Sequence, residues 1–343
     1  MREAMLYTKE SDRKVHCDLC RHGCTIDPGK YGICNVRYND AGILYSIFYG
    51  KPIAMAVDPI EKKPFFHYNP GSRAFSVATP GCNFQCSFCQ NWDISQYGRS
   101  ATNRIPSQDI SPQSIVGQAK ANRCSSISYT YTEPTIFFEY AHDTAKIART
   151  QGIGNNFVSN GYMTRDALDT IKPYLDAVNV DLKAFRKDTY RKIMKAQLDG
   201  VLDSIKYMKE LGIWVEVTTL VVPGMNDDAG ELRDIADFLA GVGRDIPWHI
   251  SRFVPHYKMD NISPTPLPKL REALEIGKKA GLRYVYMGNV SGDESENTFC
   301  YQCGFKLVER DGYFIRSNQI TNKSECPSCK TKVDGIEMGV AGK

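Results

Sequence analysis

The chain has 343 residues, 42% of them hydrophobic and 24% charged, with a formal charge of +4, which suits a globular protein with one large core and small appendages. So mild a basic balance argues against nucleic acid as a main partner. No run of about 18 apolar residues offers a membrane span, and the opening MREAMLYTKESDRK lacks the apolar stretch of an export signal.

Twelve cysteines without such a signal are expected to hold metal in a cytoplasmic protein rather than to form disulfides. The first four, Cys17, Cys20, Cys24 and Cys34, fall in residues 1–40, read as a metal-binding segment. Four thiolates so close suit zinc or an auxiliary iron–sulfur cluster that passes electrons on. A structural metal is favoured, with His16 and His22 as alternative ligands. Residues 41–74 read as a β-rich lead-in whose turn-dense DPIEKKPFFHYNPGS brings the first cysteines onto the main body of the chain.

From 75 to 290, β-branched and aromatic runs alternate with helical ones. Strands are predicted at 75–79, 126–131, 155–160, 177–182, 214–222, 248–253 and 283–287. Helices are predicted in SPQSIVGQAKANR, PTIFFEYAHDTAKIARTQG, LDGVLDSIKYMKELG and LPKLREALEIGKKAG. The expected fold class is therefore α/β, a partial (β/α)6 barrel, with a doubly wound sheet as the other solution of the same periodicity. Either one places a ligand at the carboxyl ends of the strands.

The chemical groups fall at those ends. Cys82, Cys86 and Cys89 follow the first strand as C-x3-C-x2-C. A four-iron cluster held by only three thiolates keeps one iron open to a small molecule; zinc ligation or buried thiols are the plainer readings. Glu133 ends the second strand in YTYTEPT, where a carboxylate can accept from an ammonium group. Ser159, Asn160 and Gly161 end the third and suit a ribose or carboxylate, or simply a turn. Asp181 and Lys183 share a face, able to grip both ends of a zwitterion or to pair with each other. His249 points inward or is a hydrogen-bonded core residue, and Cys124 reads as a small buried hydrophobe. In residues 291–343, Cys300-x2-Cys303 and Cys326-x2-Cys329 flank a hairpin, KLVERDGYFIRS, as in a zinc ribbon, with an iron site as the rival.

The run CNFQCSFCQNW, with Phe88 before the last cysteine, resembles the cluster motif of radical S-adenosylmethionine (SAM) enzymes. That resemblance implies a [4Fe-4S] cluster on Cys82, Cys86 and Cys89 and SAM on the open iron. Thr132 and Glu133 resemble the last two places of the Gly-Gly-Glu motif that holds the SAM amino group. VNVDLKAF and VVPGMND resemble the glycyl-radical-enzyme activases, such as pyruvate formate-lyase activating enzyme. This implies Lys183 near the SAM carboxylate and Asp181 near a monovalent cation. By their places on the strands, and not by that resemblance, His249 would face adenine or substrate, and Met287, Gly288 and Asn289 at the last strand's end would frame the adenine. Over its whole length the chain resembles the radical SAM enzyme of the AmmeMemoRadiSam system, which implies AMMECR-type and Memo-type partners.

The resemblance implies an activity. A reduced cluster, fed by a ferredoxin- or flavodoxin-type donor, cleaves SAM to methionine and a 5′-deoxyadenosyl radical. The radical abstracts hydrogen from a protein or an unidentified small molecule. The rival readings are a glycyl-radical activase and a non-catalytic zinc-binding interaction protein.

Overall fold

Eight strands form one sheet in the computed structural model, which describes residues 1–99, 108–290 and 292–339. The first residue and the last four of the 291–343 segment thus lie outside the described residues. The strands are β1 (Ala54–Pro59), β2 (Arg73–Ala78), β3 (Ser126–Tyr129), β4 (Gly154–Ser159), β5 (Ala177–Asp181), β6 (Trp214–Val221), β7 (Trp248–Arg252) and β8 (Val285–Gly288). They lie side by side in chain order. β1 joins as an antiparallel edge, and β2 through β8 are parallel.

Helices α1 (Pro112–Ala121), α2 (Phe138–Thr150), α3 (Arg165–Ile171), α4 (Leu198–Glu210), α5 (Ala229–Val242) and α6 (Leu267–Lys279) follow β2 through β7 in turn. The result is six strand–helix units and a seventh parallel strand, with β1 and β8 left as separate edges of an open barrel. All seven predicted strands are present, as are the four predicted helices; α3 and α5 are additional.

Local chemistry explains the helix starts. Ser111, Thr164 and Asp228 each accept a hydrogen bond from the backbone N–H three residues on, satisfying a donor that the first turn cannot use itself. The strands carry apolar side chains to both faces, as parallel strands covered by helices must. Val178, Val180, Val215, Val217 and Ile250 are buried in one core with Leu168, Ile205, Ile235 and Leu270 from the helices. Each such side chain contributes about 1.5–3 kcal/mol by leaving water.

Two smaller parts flank the sheet. In the amino-terminal part, Val15–Cys17 pairs with Cys24–Ile26 so that Cys17 faces Cys24. A second hairpin, Arg37–Asp40 with Ile43–Ser46, spans the step from residue 40 to 41. Arg37 fastens this part to the barrel through a buried 2.7 Å ion pair with Glu139 of α2. At the other end, Thr298–Phe299, Lys306–Asp311 and Phe314–Asn318 make an antiparallel ribbon. Buried Arg310 of the ribbon donates to the Phe66 carbonyl at 3.0 Å. No described helix is long and apolar enough to cross a membrane.

Candidate active site

A cavity of about 460 Å³ opens at the carboxyl ends of the strands. Cys82, Cys86 and Cys89 line it, carried by the loop that leaves β2. Gly81 sets the entry of that loop. Its φ is +103°, and a Cβ there would stand 2.6 Å from Val36 Cγ1, so the backbone dihedral and the close approach both call for glycine. Its N–H donates to the Ile94 carbonyl at 2.9 Å, closing the loop over the single helical turn Trp92–Ser95. Within the loop, Phe84 N–H donates to Cys82 Sγ at 3.3 Å, and Cys89 Sγ lies 3.2 Å from Ser95 Oγ.

Burial raises all three thiol pKa values, that of Cys86 to about 12 despite the opposing charge of Lys183. Alone they stay protonated; the thiolates that a metal needs form only against a cation. Three soft sulfur donors on one wall of a cavity are a ligand set that fits an iron–sulfur cluster with an open iron.

Glu133 sits one strand away, at the start of a short helical turn, Pro134–Phe137, that it caps. Its Oε1 accepts from Thr135 N–H at 3.0 Å, Thr135 Oγ1 at 2.6 Å and Ser159 Oγ at 2.8 Å. Its Oε2 accepts from Asn160 N–H at 2.8 Å. All four donors are neutral, and burial raises the carboxyl pKa against them. Ser159 and Asn160 line the same cavity, and the Asn160 carboxamide donates to Asn83 Oδ1 at 2.7 Å, 3.9 Å from Cys82 Sγ. Gly161 makes the turn possible at φ +70°, where a Cβ would meet Val180 Cγ1 at 2.7 Å.

Lys183 Nζ lies 2.8 Å from Asp181 Oδ2 and 5.9 Å from the Phe88 ring centre. Burial works against the ammonium, but the charge and hydrogen bond of Asp181, together with the influence of Cys86 and Tyr190, raise the pKa. The two residues thus pair with each other while both line the cavity. His249 lines it too, yet its Nε2 is 2.7 Å from Glu216 Oε2 and its ring stacks on Tyr286. Burial disfavours the Glu216 carboxylate, but the hydrogen bond and charge of His249 hold its pKa below the usual value. Gly288 and Asn289 are on the cavity wall, whereas Met287 lies in the core.

Sequence reasoning missed the far side of the cavity, formed by Lys63, Phe66, Glu296, Gly312 and Tyr313. Lys63 pairs with Asp58 at 2.7 Å and lies over the Tyr131 ring. Burial lowers its pKa to about 8 against the pull of Asp58. The charged run EKK gave a signal, but nothing local says that its second lysine turns inward.

The outer cysteines form two different arrangements. Cys300 Sγ is 3.6 Å from Cys329 Sγ, and Cys303 Sγ is 3.7 Å from Cys326 Sγ. Four sulfurs at about 2.3 Å from one tetrahedral metal stand about 3.8 Å apart, so this set fits a single ion. Cys17, Cys20, Cys24 and Cys34 surround a small cavity of about 20 Å³ together with His22 and Arg37. His16 contacts Thr25 and Asp18, and Cys124 is a buried core residue.

The radical SAM superfamily profile matches residues 76–239. The pyruvate formate-lyase 1-activating enzyme of Escherichia coli K12 is 22% identical over 63% of this chain and 93% of its own. The chain belongs to the radical SAM superfamily. An uncharacterized protein of Methanocaldococcus jannaschii is 44% identical over 97% of this chain and 99% of that one. A radical SAM methyltransferase structure from Sphaerobacter thermophilus shares the fold, with a TM-score of 0.52 and 16% identity over 68% of this chain and 71% of that one. Radical SAM membership makes the chain an enzyme, related to the activating enzymes, with a [4Fe-4S] cluster and SAM as cofactors and a need for a reductant.

Proposed function

We propose that Cys82, Cys86 and Cys89 hold the [4Fe-4S] cluster and that Glu133, Ser159, Asn160, Asp181 and Lys183 hold SAM beside it. The observation that carries this reading is convergence: three thiols, a buried carboxylate, Ser159 with Asn160, and a lysine–aspartate pair, from four successive strand ends, face one cavity. With cluster and SAM in place, one electron splits the sulfonium and yields the hydrogen-abstracting radical.

The protein's share is to bind and orient. Glu133, whose partners are all neutral, is suited to the SAM ammonium. Lys183 is suited to its carboxylate, with Asp181 fixing the lysine. Ser159 and Asn160 offer short polar groups for ribose or carboxylate. His249, held by Glu216, presents a ring edge toward adenine or substrate. The buried walls exclude water, which would quench reactive species.

Beyond the site, we read Cys300, Cys303, Cys326 and Cys329 as a zinc ligand set. The thiol-rich chain belongs in a reducing cytoplasm, served by a ferredoxin- or flavodoxin-type donor. The whole-chain resemblance supports AMMECR-type and Memo-type partners and a protein or small-molecule substrate. Similarity to the pyruvate formate-lyase 1-activating enzyme favours one second reading, activation of a glycyl-radical enzyme. Its test is a glycyl radical, read by electron paramagnetic resonance, on a candidate partner.

The main reading is tested by anaerobic reconstitution, reduction and addition of SAM. 5′-Deoxyadenosine should form and should vanish in a Cys82/Cys86/Cys89→Ala variant; its absence from the reconstituted wild type rejects the reading.

A further inference from the structure

Among the described residues, three or more potential ligand atoms lie within 4.8 Å of one another only at the four ribbon cysteines. The amino-terminal cysteines share one cavity but do not draw together in this way. That difference has a chemical meaning. Thiolates on one tetrahedral ion must stand about 3.8 Å apart, whereas thiolates on separate irons of a cluster are held apart by the cluster itself.

The cavity wall adds a second, independent observation. Arg37 and Asn83 both line it, and three of their nitrogens, Arg37 Nε, Arg37 Nη2 and Asn83 Nδ2, are buried without a hydrogen-bond partner. Buried N–H groups without acceptors are costly. A single ion would offer only its four thiolates as acceptors, whereas a cluster adds inorganic sulfides, and N–H contacts to cluster sulfur are a known means of setting its potential. The Arg37 guanidinium is also close enough for its charge to act on Cys17 and Cys34.

We propose that Cys17, Cys20, Cys24 and Cys34 bind a second iron–sulfur cluster, closed by four thiolates, through which electrons enter the protein. Its position suits that role. On one side Ile33, also on the cavity wall, is 45% exposed. On the other, His22 Nε2 donates to the Asn83 carbonyl at 2.9 Å, and Asn83 adjoins Cys82. One electron from a ferredoxin- or flavodoxin-type donor reduces the four-thiolate cluster. The same electron passes to the cluster on the triplet and is consumed in breaking the SAM sulfur–carbon bond, leaving the first cluster oxidised again. No proton moves in the transfer. The relay rests on the proposed triplet site; the four-thiolate site stands on its own geometry.

The test is anaerobic iron, sulfide and zinc analysis with electron paramagnetic resonance on the full chain and on Cys82/Cys86/Cys89→Ala. Wild type should hold about eight irons, about eight sulfides and about one zinc. The variant should lose about half the iron and keep a reducible cluster whose signal does not change with SAM. In the fully reduced wild type, the two signals should broaden each other. About four irons with about two zincs in wild type, the iron all lost in the variant, overturns the four-thiolate cluster and leaves the proposed function standing. Iron retained in the variant while wild type fails to cleave SAM does the reverse. Should the variant not fold, the wild-type ratio of iron to zinc decides alone. Two signals that simply add, with no broadening, overturn the relay.

Discussion

The backbone N–H of Asn160 donates to Glu133 Oε2 at 2.8 Å, tying the end of β4 to that of its neighbour β3 at the cavity wall. A Glu133→Gln variant keeps the size of the side chain but loses its charge and turns an amide NH2 toward neighbouring donors. Losing one charge-assisted hydrogen bond costs about 1.5–3 kcal/mol, so the Kd for SAM should rise about 10- to 100-fold. Calorimetric titration of cluster-loaded protein measures it; unchanged affinity would remove Glu133 from the SAM site.

Gly81→Ala should destabilise the triplet loop. Gly152 is a control, since a Cβ there meets nothing within 4 Å although φ is +69°. Gly152→Ala therefore isolates the dihedral cost of about 1–3 kcal/mol, and Gly81→Ala adds the collision with Val36. Melting temperature and iron per chain should both fall further in Gly81→Ala; equal losses would mean that the close approach is harmless.

Acid should loosen the contact between ribbon and barrel. His67 Nδ1 lies 2.7 Å from the Asp334 carbonyl, which can only accept, so Nδ1 carries a proton, and Nε2 lies 2.6 Å from Tyr286 Oη. Burial, opposed by the Glu216 charge and helped by Arg310 and His249, lowers its pKa to about 4. The unfolded chain, with a histidine pKa of about 6.5, binds the extra proton first. Stability from this group is thus full above about pH 6.5 and falls toward pH 4, by up to about 1.4 kcal/mol per unit. Denaturant titrations of wild type and His67→Gln across that window should differ in slope, the variant being flatter.

Removing metal from the ribbon should unfold it locally. Among the described residues its own buried core is only Leu307, Val308, Ile320, Val333 and Met338 beside Cys300 and Cys326, too little to hold a fold of this size without a staple. Chelation or Cys326→Ser should expose the chain after Thr298 to limited proteolysis while the barrel stays resistant. Protection equal to that of untreated wild type would rule out a structural metal.

The strand ends were legible because they carry two signals at once, β-branched runs and polar residues where the runs stop. α5 was overlooked although Leu232, Ile235, Ala236 and Leu239 form its buried stripe; glycines at 230 and 241 blunt its propensity at both ends. α3, seven residues long, is too short for its period to stand out. His249 drew notice in the sequence but Glu216 did not, because most of the partners that explain a carboxylate inside this strand, His249 and the Phe66 and His67 N–H groups, lie far off in the chain. The inward turn of Lys63 depends on Asp58, Tyr131 and the way β1 joins the sheet, all of which are tertiary facts.

The turn of the ribbon hairpin has a separate consequence. Gly312 and Tyr313 stand on the cavity wall, and Glu296, also on that wall, receives the Gly312 N–H at 3.2 Å. A turn of the carboxyl-terminal segment, folded around four cysteines that do not line the cavity, thus forms part of the cavity wall. Exchanging that one short turn should therefore change the shape of the cavity without touching Cys82, Cys86 or Cys89.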